Sequence, residues 1–231
     1  MVILLLRGHI RESFDDDDLY NFVKKIAIFS PIEIYISTWN IYANNLSWRA
    51  VKEDNRIVDK MTIYNYFRDL KDNIKRIIID DDTKIVLNGK TEGNVGNGKM
   101  PLTGWKNMWY CNHNIMKYIS REKFQNDTII NTRIDILKNS NYHIYNKDLL
   151  LAFIKFIINS RSINKNHFVV NKEYAGIDNI IAGNVGSMKK LIDHFHNNLD
   201  NIIQSYDNGN FNFPQELLVF RENNKIFASQ N

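Results

Sequence analysis

A single α/β domain built on an open, mostly parallel sheet flanked by helices is what this sequence predicts, and three observations carry that reading. Val2-Ile3-Leu4-Leu5-Leu6 is a continuous apolar run of strand length, the pattern of a parallel strand covered on both faces. Strand-like and helix-like segments then alternate in the order β-α-β-α-β-α-β. Polar residues follow the strands, where open α/β sheets bind their ligands. A chain of 231 residues can bury the core that one such domain needs.

Taken in order, the opening strand leaves through Arg7-Gly8-His9-Ile10-Arg11, a polar loop. The aspartates at 15–18 precede Leu19, Phe22, Val23 and Ile26 at helical spacing. Acid at a helix N-terminus complements the macrodipole, so this run reads as a helix start before it reads as a metal site. Residues 32–39 form a second strand with a polar and aromatic tip, 62–75 a helix with Tyr66, Leu70 and Ile74 on one stripe, and 77–79 a short third strand. The glycine- and asparagine-rich stretch from Asn88 to Pro101 is a long binding loop or lid. Helical periodicity resumes over 105–119. A fourth strand at 127–132 leads into Arg133-Ile134-Asp135, a buried helix spans 149–158, residues 168–170 make a short strand, and a helix follows Gly183 and Gly186. No internal repeat is present. Residues 1–125 and 126–231 make two halves of this one domain.

Composition narrows the function classes. Hydrophobic residues at 44%, charged residues at 24% and only three prolines describe an ordinary globular chain. The net charge of +4 is spread along the sequence with nearly as many acids as bases, which argues against a nucleic-acid partner. Cys111 is the only cysteine, so neither an internal disulfide nor a cysteine-rich metal site is available, and a reducing, cytoplasmic home follows, in a bacterium or a virus-infected cell. Richness in Asn, Ile and Lys points to an AT-rich genome of that kind. The apolar run at 2–6 stops at Arg7, too short for a signal-peptide core or a transmembrane segment.

Several polar groups at strand ends are candidates for chemistry. Arg7, Gly8, His9 and Arg11 suit a nucleotide or phosphate: Gly8 permits close backbone approach, and the arginines offer forked contacts to phosphate oxygens. The loop is neither a dinucleotide fingerprint nor a Walker motif. Two acidic motifs compete for a divalent cation, Mn²⁺ or Mg²⁺, on a diphosphate. Asp80-Asp81-Asp82 has the Asp-x-Asp spelling, with a solvated turn as its plain reading. Arg133 and Asp135 have the better position, with a local ion pair as theirs. Trp105 and Trp109 share a helical face and read first as core, with stacking on a base or sugar as the alternative for Trp105. Asp178, in Gly176-Ile177-Asp178-Asn179, is read as an exposed turn carboxylate able to deprotonate an acceptor hydroxyl. Glu216 is a second candidate base, with a helix-start role as its bland alternative.

RGHIRESF after the first strand, ISTW at 36–39, GWKNMWY at 104–110, NTRID at 131–135, GIDN at 176–179 and FPQE at 213–216 together resemble glycosyltransferases of the WavE-type lipopolysaccharide synthesis family, scattered over nearly the whole chain. The resemblance implies a GT-A-like, Rossmann-like fold and transfer from a nucleotide-diphosphate sugar donor to a glycan or glycoconjugate acceptor, with inversion. It implies that the metal motif follows the fourth strand, which selects Asp135, although Arg133 stands where an aspartate is usual. It further implies that Thr38, Trp39 and Asn40 join the Arg7–Arg11 loop around the nucleotide, and that Asp178 acts as the base. Two other readings stay open: a non-catalytic nucleotide- or carbohydrate-binding module, and a metal-dependent phosphate-handling enzyme using Asp80 to Asp82.

Overall fold

The structure is a computed structural model that describes residues 1–46, 51–95, 100–138, 147–160, 164–169, 178–207 and 215–228. Among them, the main sheet orders its strands β5-β2-β1-β6-β8-β7. These are β1 (Val2–Arg7), β2 (Ile32–Trp39), β5 (Ile74–Asp80), β6 (Thr128–Arg133), β7 (His167–Phe168) and β8 (Ile180–Asn184); β3 (Ile41–Ala43) and β4 (Asp54–Ile57) form a separate antiparallel pair. β5, β2, β1 and β6 run parallel, while β8 is antiparallel to β6 and β7 antiparallel to β8. The predicted class and the open, mostly parallel sheet are therefore observed, with strands from both halves of the sequence joined in one sheet.

The apolar runs have a simple cause. Val2, Leu4 and Leu6 enter one core with Phe22, Ile26 and Phe67, whereas Ile3 and Leu5 enter the other with Trp105, Trp109 and Phe195. Successive strand residues face opposite sides, and helices cover both, so no polar face survives. The first core lies under α1 (Asp18–Phe29), α2 (Lys60–Phe67) and α4 (Lys147–Asn159). The second lies under α3 (Leu102–Glu122), α5 (Val185–Asp207) and α6 (Gln215–Ala228). No helix among the described residues is long and apolar enough to cross a membrane.

Several elements depart from the sequence expectations. The helix expected over 62–75 ends at Phe67, passes through a 3₁₀ turn at Arg68–Asn73 and gives way to β5 three residues before the expected strand. Arg68 stands at φ 50°, a left-handed conformation that a continuing α-helix excludes. The β3/β4 pair and β8 were not anticipated, while α6 begins at Gln215, where the helix-start alternative for Glu216 puts it. The acidic run behaves as a solvated helix start: Asp15 pairs with Arg56, Asp16 and Asp18 with Lys138, and Asp17 with Arg68.

Candidate functional site

The chain leaves β1 for β2 and β5 on one side of the sheet and returns to β6 on the other, so the order reverses beside β1. At such a switch point the outgoing loops diverge and leave a crevice beyond the carboxyl ends of the strands. Arg7 is level with Ser37 of β2 and Arg133 of β6, which sets three strand ends side by side at its floor. The cleft there is lined by Arg7, His9, Arg11, Trp39, Asn107 and Arg133, with Asn44, Leu46, Met100 and Gly104 on its outer wall. Its enclosed space is about 80 Å³, which suits a phosphate group rather than a whole nucleotide.

Asp135 sits at the centre of the charge arrangement. Only 3% of it is exposed. Its carboxylate accepts from Arg133 Nε at 2.6 Å and Nη2 at 2.7 Å, and from Arg11 Nη1 at 2.6 Å. Arg11 holds φ 53°, a left-handed backbone that costs a non-glycine residue on the order of 1 kcal/mol and persists only where its surroundings compel it. Here the compelling contact is Asp135, reached from 124 residues away. Two guanidiniums on one carboxylate leave net positive charge at the cleft. α3 passes the cleft with one side, which carries Gly104, Asn107, Met108 and Cys111.

Arg7 lies at the floor of the cleft, and most of its guanidinium is committed to the protein. At 3% exposure it donates from Nε to Asn131 Oδ1 at 2.9 Å and from Nη2 to the Asp178 carbonyl. Burial pulls its pKa down to about 10, with Asp178 opposing that effect. Arg7 thus ties β1 to β6 and to the turn before β8. Gly8 has φ 93° with open space around its missing side chain, so the backbone angle alone calls for glycine.

His9 packs beside Trp39, with ring centroids 5.8 Å apart, and its Nε2 lies 3.9 Å from Asp82 Oδ2. That spacing is no ionic bond, because burial first and Arg11 second push the imidazole pKa down to about 3. His9 is neutral at pH 7. Its unfolded value near 6.5 lies above the folded one, so below that pH the unfolded chain binds the extra proton and stability falls as pH drops from 6.5 towards 3. His9→Gln is expected to remove roughly 2 kcal/mol of the loss seen at pH 5, measured as urea midpoints at pH 7 and pH 5 for both chains.

Other expected site residues lie elsewhere. Thr38 is fully buried and donates to the Gly8 carbonyl at 2.9 Å, so it shapes the loop instead of meeting a ligand. Asn40 follows the cleft residue Trp39 and is half-buried; its backbone N–H donates to the Asp80 carbonyl and its own carbonyl accepts from Val58, bonds that do not involve its side chain. Trp105, 1% exposed, belongs to an aromatic cluster with Trp109 and Phe195 in the core, so the stacking role is overturned. Asp178 is not presented from an exposed turn: it is 9% exposed, behind Arg7, because antiparallel pairing of β8 with β6 draws it against the sheet. Gly176, Ile177 and the side chain of Glu216 lie outside the described residues. Cys111 is buried with its thiol pushed up to about 12, an inert wall of the cleft.

Asn44 and Asn107 were missed, since an asparagine carries no chemical signature until the fold places it. Close approach explains one further wall residue: a Cβ on Gly104 would sit 3.1 Å from the Leu46 carbonyl.

No family model and no curated protein sequence matches the chain. It is similar in structure to LgtC. An active-site mutant of LgtC is 9% identical with a TM-score of 0.41, and the galactosyltransferase LgtC in complex with donor and acceptor sugar analogs is 10% identical with a TM-score of 0.40. Both alignments cover 98% of this chain and 70% of that one. At that distance the likeness says nothing of the chemistry, which has to come from the chain's own geometry.

That geometry does not fit the divalent cation expected on Asp135, whose oxygens are already engaged by Arg11 and Arg133. Among the described residues no group of three or more His, Cys, Asp or Glu is placed to hold a metal ion. The rival acidic motif points three ways. Asp80 bonds Asn114, Asp81 closes a turn on Thr83 and Lys84, and Asp82 accepts from Asn44. Burial raises the pKa of Asp80 and of Asp82. What the cleft can do is hold an anion with guanidinium and amide groups.

Proposed function

We propose that the chain is a GT-A-like glycosyltransferase that binds a nucleotide-diphosphate sugar at the switch-point cleft and transfers the sugar to a glycan or glycoconjugate acceptor. The observation that carries this reading is the pair Arg11, in the turn that follows β1, and Arg133, at the end of the neighbouring β6, both fixed on Asp135 and lining a phosphate-sized space. Transfer requires that the charge gathering on the departing diphosphate be balanced. A guanidinium already oriented by a buried carboxylate balances it without reorganising during the reaction. Trp39, Asn44 and Asn107 offer an aromatic edge and amides for the base and sugar along the rim. Neutral His9 can donate or accept a hydrogen bond there without adding charge.

A second reading, a nucleotide-binding module without catalysis, is favoured by one observation: the cleft-lining residues among those described include no carboxylate to serve as base. One experiment separates the two. A panel of nucleotide sugars is screened by thermal shift, since a ligand of the folded state raises its stability, and the binders are then assayed for donor hydrolysis. Stabilisation with turnover supports the transferase, stabilisation without turnover supports the module, and no stabilisation by any nucleotide sugar removes both.

A further inference from the structure

A second depression runs along the outer edge of the sheet, between β5, α2 and α3. It encloses about 690 Å³, within the usual span of ligand sites. Five cations line it: Lys60 from α2, Lys75 and Arg76 from β5, and Lys117 and Arg121 from α3. Asp80 is the one acid of its lining.

Many basic side chains elsewhere meet acids, as Arg56 meets Asp15 and Asp54, Lys106 meets Asp200, and Lys189 meets Asp193, while Lys25, Lys71, Lys155 and Lys190 make no ion pair among the described residues. What sets the groove apart is that its cations converge on one depression with a single acid. None of the five groove cations has a carboxylate within salt-bridge distance among the described residues. Lysine on an exposed edge strand has a known plain purpose, to discourage pairing with another sheet, and Lys75 fits it. Edge protection does not call for cations converging from two helices as well. Nor does it call for a guanidinium held in place, and Arg76 lies 3.6 Å above the Tyr118 ring. Tyr64 lines the same groove and, with Tyr118, supplies ring faces between the charges, the mixture that suits sugar rings carrying acid groups.

The groove also meets the cleft. Asp80, at its inner end, is in register with Trp39 of the cleft wall, and Asn40 N–H donates to the Asp80 carbonyl at 2.9 Å. On α3, Cys111 lines the cleft and Asn114, one turn on, lines the groove. We infer that this groove is a binding site for an acidic, carboxylate-bearing oligosaccharide, whose end it presents at the tip of β5 beside the switch-point cleft. Its role as acceptor site rests on the transferase reading; the binding itself does not.

The test uses the full chain and an oligogalacturonate of defined length, with its neutral methyl ester as control, titrated at low and physiological salt. Binding of the acid form, about tenfold or more over the ester, weakened by salt and again by about tenfold in Lys117→Gln/Arg121→Gln, is the expected result. Both substitutions are on the solvent side of α3, and an unchanged thermal midpoint and nucleoside diphosphate affinity confirm that the fold and the cleft are intact. Equal binding of acid and ester, unchanged binding in the double variant, or tighter binding of a single-stranded DNA of equal charge overturns the inference. Acid-form binding in a chain that takes up no nucleotide sugar would uphold the groove and sink the transferase reading.

Discussion

Asp135→Asn is expected to cost the fold roughly 3–5 kcal/mol, because it leaves two guanidiniums facing each other around a buried neutral amide. Arg11 and Arg133 approach the carboxylate from segments far apart in sequence, and the side chain of Asp135 is 4% exposed, so water cannot replace the lost charge. For a chain of this length that is a fall of roughly 10 °C in thermal midpoint. The sequence reading, which made Asp135 a metal ligand, expects the fold to survive this substitution and transfer to be lost. Calorimetric melting separates the two directly. A midpoint within about 2 °C of the parent would restore the ligand role, since a change worth less than roughly 1 kcal/mol is incompatible with a buried ion-pair hub. Below its melting range the Asp135→Asn variant should bind nucleoside diphosphate within a few-fold of the parent, as the anion contacts belong to the arginines.

The double variant Arg11→Ala/Arg133→Ala should lose nucleoside diphosphate affinity by roughly a hundredfold or more, taking each charge-assisted contact at about 1.5–3 kcal/mol. Both side chains are removed together because the two guanidiniums line the same space and would share one phosphate. The two alanines also leave Asp135 buried without cations, so the pair is compared with Arg11→Ala/Arg133→Ala/Asp135→Asn, which removes that charge as well. Equal loss of affinity in both chains assigns the effect to the missing guanidiniums. Recovery of affinity in the triple variant would instead mean that the bare carboxylate, not the loss of contacts, had repelled the ligand.

Much of the scaffold was legible in the sequence because its cause is local. Val2 to Leu6 can be uniformly apolar only if both faces are covered, and the alternation of Leu4 and Leu5 between two cores is that condition realised. The acidic run at 15–18 read correctly as a helix start for the same reason. What failed were features decided by distant partners. β8 is a short apolar stretch, Ile-Ile-Ala-Gly-Asn, and only its pairing with β6 makes it a strand and turns Asp178 inward onto Arg7, 171 residues away. The ion pair of Arg133 with Asp135 was visible from spacing. The arrival of Arg11, which converts that pair into a closed hub and displaces the expected cation, was not. The groove along β5 escaped notice because its cations come from three elements and are unremarkable in each.

The most direct test of a donor site built from arginines is a titration of uridine and guanosine diphosphates into the unaltered chain, in excess EDTA and again with Mn²⁺. Diphosphate binding in EDTA, changed no more than about threefold by Mn²⁺ and far tighter than that of the uncharged nucleosides, is the predicted result. Binding that appears only when Mn²⁺ is added would contradict it.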